Sequence, residues 1–442
     1  MKATLLPWLS ALLTSQGLRD LNRRRAEWRR RLTRQPHTVD VWLRVDDPYS
    51  WLLVQVLPAF ATHFGVQLRP HLMLYLDEQM YPHPELLAPL AARDAAALAT
   101  LHGLAFPPDA TTPDHERSLL ATAILLRHEQ DPTFFTLAAD VLSALWHGHN
   151  LAPLAQTQAP LPLDQTRLAM EARRDSYLRE GHYLTAMLRY GGEWYWGIDR
   201  LDHLAQRLQT LGLGTGTPCP LPYGRAKYLS LHAPAGCASE RTLTLFYSFR
   251  SPYSWVAFSR ACTLADHYGL TLDIRPVLPM VMRGLPVPPA KRFYILRDAA
   301  REAALHQVPF GRVCDPVGPG VERCMALWPF AEKEGRLRQW LAAAGEGIWS
   351  RGINAASDSG LRALCHHAGL DWHRARRWLD DDGWRQQAEA NRAEMLAAGS
   401  WGVPTLRIDG TLCWGQDRFA VLEQALGEHQ AGHAAPDHHN NT

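Results

Sequence analysis

The chain has no Cys-x-x-Cys pair, and no cysteine at all before position 219; the seven it has (219, 237, 262, 314, 324, 365 and 413) are irregularly spaced. An odd, scattered set of thiols excludes a disulfide framework and an internal redox dithiol, and it points to a reducing, cytoplasmic setting. Net charge is missing too: 46 Lys and Arg against 44 Asp and Glu leave +2, so no global field draws the chain to nucleic acid. No apolar run approaches the roughly 18 residues that span a bilayer. The apolar stretch from Leu5 to Leu13 is broken by Pro7 and followed by the arginine run from Arg19 to Arg34. That order is wrong for a signal peptide, so the segment reads as a solvated helical extension, with no membrane as partner. Cys365-His366-His367 and His147-x-His149 have no partners at ligand spacing, so no metal is expected.

What is present is internal repetition. Pro48-Tyr49-Ser50-Trp51 recurs 204 residues on as Pro252-Tyr253-Ser254-Trp255, and Arg93-Asp94-Ala95-Ala96 recurs at the same distance as Arg297-Asp298-Ala299-Ala300. Further along, the distance becomes 218: Leu188-Arg189 against Leu406-Arg407, and Trp196-Gly197 against Trp414-Gly415. Each copy reads as a strand (Val39 to Val45, Leu243 to Phe249), a turn carrying P-Y-S-W, a helix, a second strand, a helical stretch, then a hairpin and a last helix. Asp409-Gly410 between apolar runs predicts a type I′ hairpin turn, with Gly191-Gly192 in that place in the first copy. At 442 residues with 46% hydrophobic content, two packed cores fit the length. The expected organisation is a helical extension (1–36), a first domain (37–210), a Gly/Pro-rich linker (211–240), a second domain (241–427) and a disordered tail (428–442).

A strand that runs through a tight turn into a helix sets unpaired amide hydrogens, and about half a positive charge, at the helix start. An anion is stabilised there. The turn offers Ser251-Pro252-Tyr253-Ser254, so the chain itself supplies no thiol.

The stretch Phe246-Tyr247-Ser248-Phe249-Arg250-Ser251-Pro252-Tyr253-Ser254-Trp255 resembles the DsbA-type thioredoxin-fold family, and most of all 2-hydroxychromene-2-carboxylate isomerases and kappa-class glutathione transferases. Lys291-x-x-Tyr294-x-x-x-Asp298-x-x-Arg301, Gly402-Val403-Pro404-Thr405 and Trp414-Gly415-Gln416-Asp417-Arg418 follow in the family's order. The resemblance implies an α/β fold of two tandem thioredoxin-like domains, each with a helical insertion. It also implies glutathione as cofactor, with Ser251 holding its sulfur as thiolate. Val403 before a cis Pro404 would pair with the peptide, Gln416 and Asp417 would receive its γ-glutamyl end, and Lys291 and Tyr294 would line the pocket. A small electrophilic substrate would be isomerised by reversible thiolate addition. Glutathione transfer and a non-catalytic binding role are the alternatives, and the missing Cys-x-x-Cys argues against disulfide exchange. The protein is expected as a monomer whose two copies imitate a dimer, or as a homodimer.

Read residue by residue, simple helix capping remains open for Ser251, Gln416 and Asp417, and a solvated face for Lys291 and Tyr294. Trp349, Trp401 and Trp414 are candidates for an aromatic wall. The first copy departs from the pattern. Asp47 takes the place of Ser251, and Ala186 that of Pro404. A carboxylate about 4 Å from a thiolate repels it by about 4 kcal/mol at an effective dielectric of 20. The first domain is therefore expected to lack the family's chemistry, the rival being a changed reaction with Asp47 as base.

Overall fold

A computed structural model describes residues 2–76, 83–216, 224–232, 235–237, 240–285 and 287–433. The chain divides into two compact units: an N-terminal unit of residues 16–225 with 286–294, and a C-terminal unit built on residues 226–285 and from 295 onward, together with the first fifteen residues.

The N-terminal unit carries β1 (Thr38–Arg44), β2 (Gln67–Met73), β3 (Met187–Tyr190) and β4 (Glu193–Trp196) in the order β2-β1-β3-β4. The C-terminal unit carries β5 (Thr242–Tyr247), β6 (Thr271–Pro276), β7 (Thr405–Ile408) and β8 (Thr411–Trp414) in the order β6-β5-β7-β8. In each, the first two strands pair parallel and the remaining pairs are antiparallel. The two sheets thus share one topology, and β1 and β5 are corresponding central strands, as the repeats predict. Leu243, Leu245, Phe246 and Tyr247 of β5 are all fully buried, the continuous apolar pattern of a strand covered on both faces.

A parallel pair needs a crossover, and the P-Y-S-W helices Pro48–Phe64 and Pro252–Tyr268 supply it. Each has proline in its first turn, where the missing N–H costs nothing. Each ends on a left-handed glycine, Gly65 at φ 62° and Gly269 at φ 72°. Helical insertions follow: Pro84–His102 through Leu163–Arg179 in the N-terminal unit, and Pro289–Leu305 through Gly383–Ala397 before β7.

Several boundaries differ from the expected ones. The N-terminal extension is two helices that belong to different units. In Lys2–Thr14, Ser10 Oγ accepts from the Val313 N–H at 2.8 Å and donates to the Gly311 carbonyl at 3.0 Å in the C-terminal unit. In Gln16–Leu32, Arg23 pairs with Glu193 of the N-terminal unit at 3.0 Å. Part of the expected linker is packed: Arg225–Lys227 forms a 3-10 turn with Lys227 fully buried, and Glu423 accepts from the Ser230 and Leu231 amides at 2.6 and 2.7 Å. The last helix, Phe419–His433, runs past 427, and the rest of the expected tail lies outside the described residues. Both hairpins have two-residue loops, but the turn chemistry differs. Gly191 and Gly192 both have positive φ, as type I′ requires, whereas in the other loop only Asp409 does. No described helix is long and apolar enough to cross a membrane.

The core of the C-terminal unit closes on Trp255, whose Nε1 donates to the Pro309 carbonyl at 2.9 Å. Helix Leu337–Trp349 presses Gly345 against its ring: a Cβ at 345 would sit 2.1 Å from Trp255 Cε3. Helix propensity alone favours alanine over glycine by about 1 kcal/mol. Because Trp255 cannot yield, Gly345→Ala is instead expected to destabilise by about 1–3 kcal/mol in urea unfolding; an unchanged midpoint would mean that the ring moves aside.

Candidate functional site

β5 passes through residues 248–251 into the helix Pro252–Tyr268, and Ser251 caps that helix in extended conformation. Its Oγ accepts the Ser254 N–H at 3.1 Å and donates to the Val403 carbonyl at 3.4 Å. The second contact is long and therefore weak. The Val403–Pro404 peptide is cis. Pairing of Phe246 with Thr405 sets this loop beside the turn, and the Gly415 N–H donates to the Pro404 carbonyl at 2.9 Å. The fold thus brings Ser251, Val403 and Pro404 together and joins them to the W-G-Q-D-R turn. Gly402 is required where it stands, since a Cβ would meet Trp414 Nε1 at 2.8 Å.

Asp417 and Gln416 lie at that turn, and the Gln416 side chain is engaged within the protein. Its carboxamide points inward and is almost fully buried. Nε2 donates to Glu302 Oε2 at 2.8 Å and also to Asp417 Oδ1, while Oε1 accepts from Arg260 at 3.1 Å. Only this orientation satisfies the surroundings, with the amide nitrogen between two carboxylates and the oxygen facing a guanidinium. Gln416 holds Asp417 rather than presenting its own amide. Glu302 in turn pairs with Lys227 at 3.1 Å, both side chains fully buried. Burial pushes the Arg260 guanidinium down to about 10, against the opposing pull of Asp417 and Glu302.

Lys291 and Tyr294 lie in the first turns of the helix Pro289–Leu305, and the segment 286–294 that carries them groups with the N-terminal unit. Lys291 Nζ lies 5.8 Å from the Tyr183 ring centre, and the Tyr294 ring meets His182 edge-on at 4.7 Å. Burial takes the Lys291 ammonium down to about 8. The aromatic wall is also incomplete. Trp401 and Trp414 pack at 5.4 Å, but Trp349 stacks on Phe310 at 5.8 Å within the core.

A relation that sequence reading missed joins the two repeated motifs: Tyr49 donates to Asp94 at 2.8 Å, and Tyr253 donates to Asp298 at the same distance. Asp199-Arg200 also repeats Asp417-Arg418, which extends W-G-x-D-R to both copies.

At the corresponding turn of the N-terminal unit, Asp47 is buried and its acceptors are occupied. It takes the Tyr49 N–H at 3.1 Å, the Ser50 hydroxyl at 2.9 Å and the Thr185 hydroxyl at 2.7 Å. Thr185 stands where the other unit has Val403. Burial raises the Asp47 carboxyl above its ordinary value, although Arg44, Thr185 and Ser50 pull the other way. Asp47 is only 6% exposed, so its carboxyl faces protein rather than solvent. Four of the chain's own thiols are held in the protonated form by burial, which raises Cys262 to about 11 and Cys365 to about 12 and lifts Cys314 and Cys324 as well.

A four-stranded sheet of this order, a helix starting at the end of its central strand, and a cis-proline loop facing that start define the thioredoxin fold with a helical insertion. Residues 242–427, within the C-terminal unit, match the DSBA-like thioredoxin domain. Over 196 residues the chain is 24% identical to the 2-hydroxychromene-2-carboxylate isomerase of Sphingobium xenophagum, covering 42% of this chain and 98% of that protein. Over 223 residues it is 28% identical to Glutathione S-transferase kappa 1 of Rattus norvegicus, covering 45% and 96%. A solved structure of 2-hydroxychromene-2-carboxylate isomerase aligns with a TM-score of 0.39 at 22% identity, covering 44% of this chain and all of that one.

The environment of Asp47 carries a sign. A folded-state value above the unfolded one means a contribution to stability that is complete below the unfolded carboxyl value, about 3.9, and is lost as pH rises through the folded value. An asparagine in its place keeps the cap and has no proton to lose. Asp47→Asn is expected to melt higher than the wild type at neutral pH, with the difference vanishing at about pH 3.9 and below; a difference independent of pH would mean that Asp47 ionises as freely folded as unfolded.

Proposed function

We propose that the C-terminal unit binds glutathione at the Ser251 turn and uses it to isomerise a small unsaturated substrate. The observation that carries this reading is the pairing of an uncommitted serine hydroxyl with a cis-proline backbone at a helix start. Ser251 spends its proton only on a 3.4 Å contact to Val403, so the proton can turn to a sulfur anion at little cost. Glutathione, once bound, supplies the thiolate that the chain lacks, for reversible addition to an unsaturated carbon. The chain's own residues would do the rest. Ser251 holds the anion, the helix start adds its partial positive charge, Val403 offers its backbone to the peptide, and Asp417, kept in place by Gln416, receives the ammonium of the γ-glutamyl end.

The kappa-transferase relative supports glutathione and the isomerase relative supports isomerisation, while the rat kappa protein, at 28% identity, favours as second reading a reaction in which the sulfur stays on the product. Disulfide exchange is disfavoured, because no thiol stands at the turn and burial raises the Cys365 thiol to about 12. The odd, scattered set of cysteines fits a reducing, cytoplasmic setting.

Ser251→Ala tests the reading. The fold and most of the peptide affinity should survive, because Val403 and Asp417 remain. A charge-assisted hydrogen bond of about 1.5–3 kcal/mol is lost, so the titration midpoint of the bound thiol should rise by about one to two units. Turnover should fall at neutral pH and recover as pH rises and the thiol ionises unaided. The measurement is thiolate absorbance in the ultraviolet against pH for the two complexes; equal midpoints would leave Ser251 as a helix cap only.

A further inference from the structure

The buried polar cluster behind Asp417 changes as a block between the two units. Arg260, Glu302 and Gln416 are 6%, 0% and 1% exposed. Their counterparts in the N-terminal unit, fixed by the matching helices and hairpins, are Val56, Leu98 and Ile198, also buried. Charged and polar groups inside a core seldom add stability over well-packed apolar ones. The N-terminal unit demonstrates that this fold closes with the apolar set, so stability does not account for the polar one. The unit that has the polar set is the one with Ser251 and the cis-proline loop.

Lys227 belongs to this cluster although it lies outside the stretch 242–427 that matches the family. It reaches Glu302 from a segment pinned by Glu423. The order of contacts is Lys227 to Glu302 at 3.1 Å, Glu302 to the Gln416 amide at 2.8 Å, and the same amide to Asp417 Oδ1. With Lys227 neutralising it, Glu302 stays an acceptor and directs one amide hydrogen of Gln416, which sends the other to Asp417. Arg260 fixes the opposite end of the carboxamide from above the Phe419 ring, 4.0 Å away.

We infer that Lys227 and Glu302 are positioning residues for ligand recognition: through Gln416 they aim the Asp417 carboxylate at the ammonium of a γ-glutamyl peptide, and so make the site selective for that amine. This rests on the proposed function. Neither residue touches the ligand, and their effect is confined to the amine end.

The test is calorimetric titration of the full chain with glutathione and with glutaryl-cysteinyl-glycine, which lacks only the amino group. Two double variants each remove both buried charges, so neither strands one. Lys227→Met/Glu302→Gln keeps an acceptor for the Gln416 amide and should retain the wild-type preference for glutathione. Lys227→Met/Glu302→Leu removes it and should weaken glutathione about tenfold while leaving the amine-free peptide unchanged. Thermal melts check that both fold, as the apolar set of the N-terminal unit leads one to expect. A wild-type preference for glutathione that persists undiminished in the leucine variant would overturn the inference alone. A wild-type chain that binds neither peptide would overturn the proposed function and the inference with it.

Discussion

A helix that starts at the end of a buried strand leaves its first amide hydrogens facing a crevice, and whatever satisfies them decides what the crevice can do. Both units of this chain are built around that constraint. In the N-terminal unit the answer is a carboxylate, Asp47, which takes hydroxyls from Ser50 and Thr185 and closes the crevice from within. In the C-terminal unit it is a neutral serine, which satisfies one amide and keeps a proton it has hardly used. The same backbone thus gives a sealed turn in one unit and an open one in the other.

The surroundings follow these choices. The sealed turn is backed by Val56, Leu98 and Ile198, and the open one by Arg260, Glu302 and Gln416 with Lys227. What the units retain in common is scaffolding. The tyrosine of P-Y-S-W bonds the aspartate of R-D-A-A in both, which ties the crossover helix to the first helix of the insertion. Shared spacing between the copies therefore marks the frame, whereas the sites of divergence mark the chemistry.

The topology was legible because the repeated motifs sit where elements begin: P-Y-S-W at a helix start, and Trp-Gly after a hairpin. The proximity of Ser251 to Val403 and Pro404 was legible for the same reason, since strand pairing carries the two loops together. Other features had no local signal. Lys227 is one lysine in a Gly- and Pro-rich stretch, and its partner is 75 residues away. The inward turn of Gln416 depends on Glu302, 114 residues off. Lys291 and Tyr294, at helical spacing, read equally well as a solvated face or a pocket lining, and the rings of Tyr183 and His182 that meet them come from far along the chain. Asp409-Gly410 promised a type I′ turn from its dipeptide, but local preference sets the loop length more firmly than the torsion angles.

The matched stretch 242–427 is shorter than the body that folds around it. Excising the domain at those limits would strip away Ser10, whose hydroxyl joins residues 311 and 313, and Lys227, the counter-charge of a carboxylate with no access to water. Glu302 would then have to take up a proton or drag solvent into the core, and the freed carboxylate of Glu423 would lose two amides. A fragment cut by family resemblance would begin life with a defect that the intact polypeptide never has, so a silent fragment would say nothing against the chemistry of the whole.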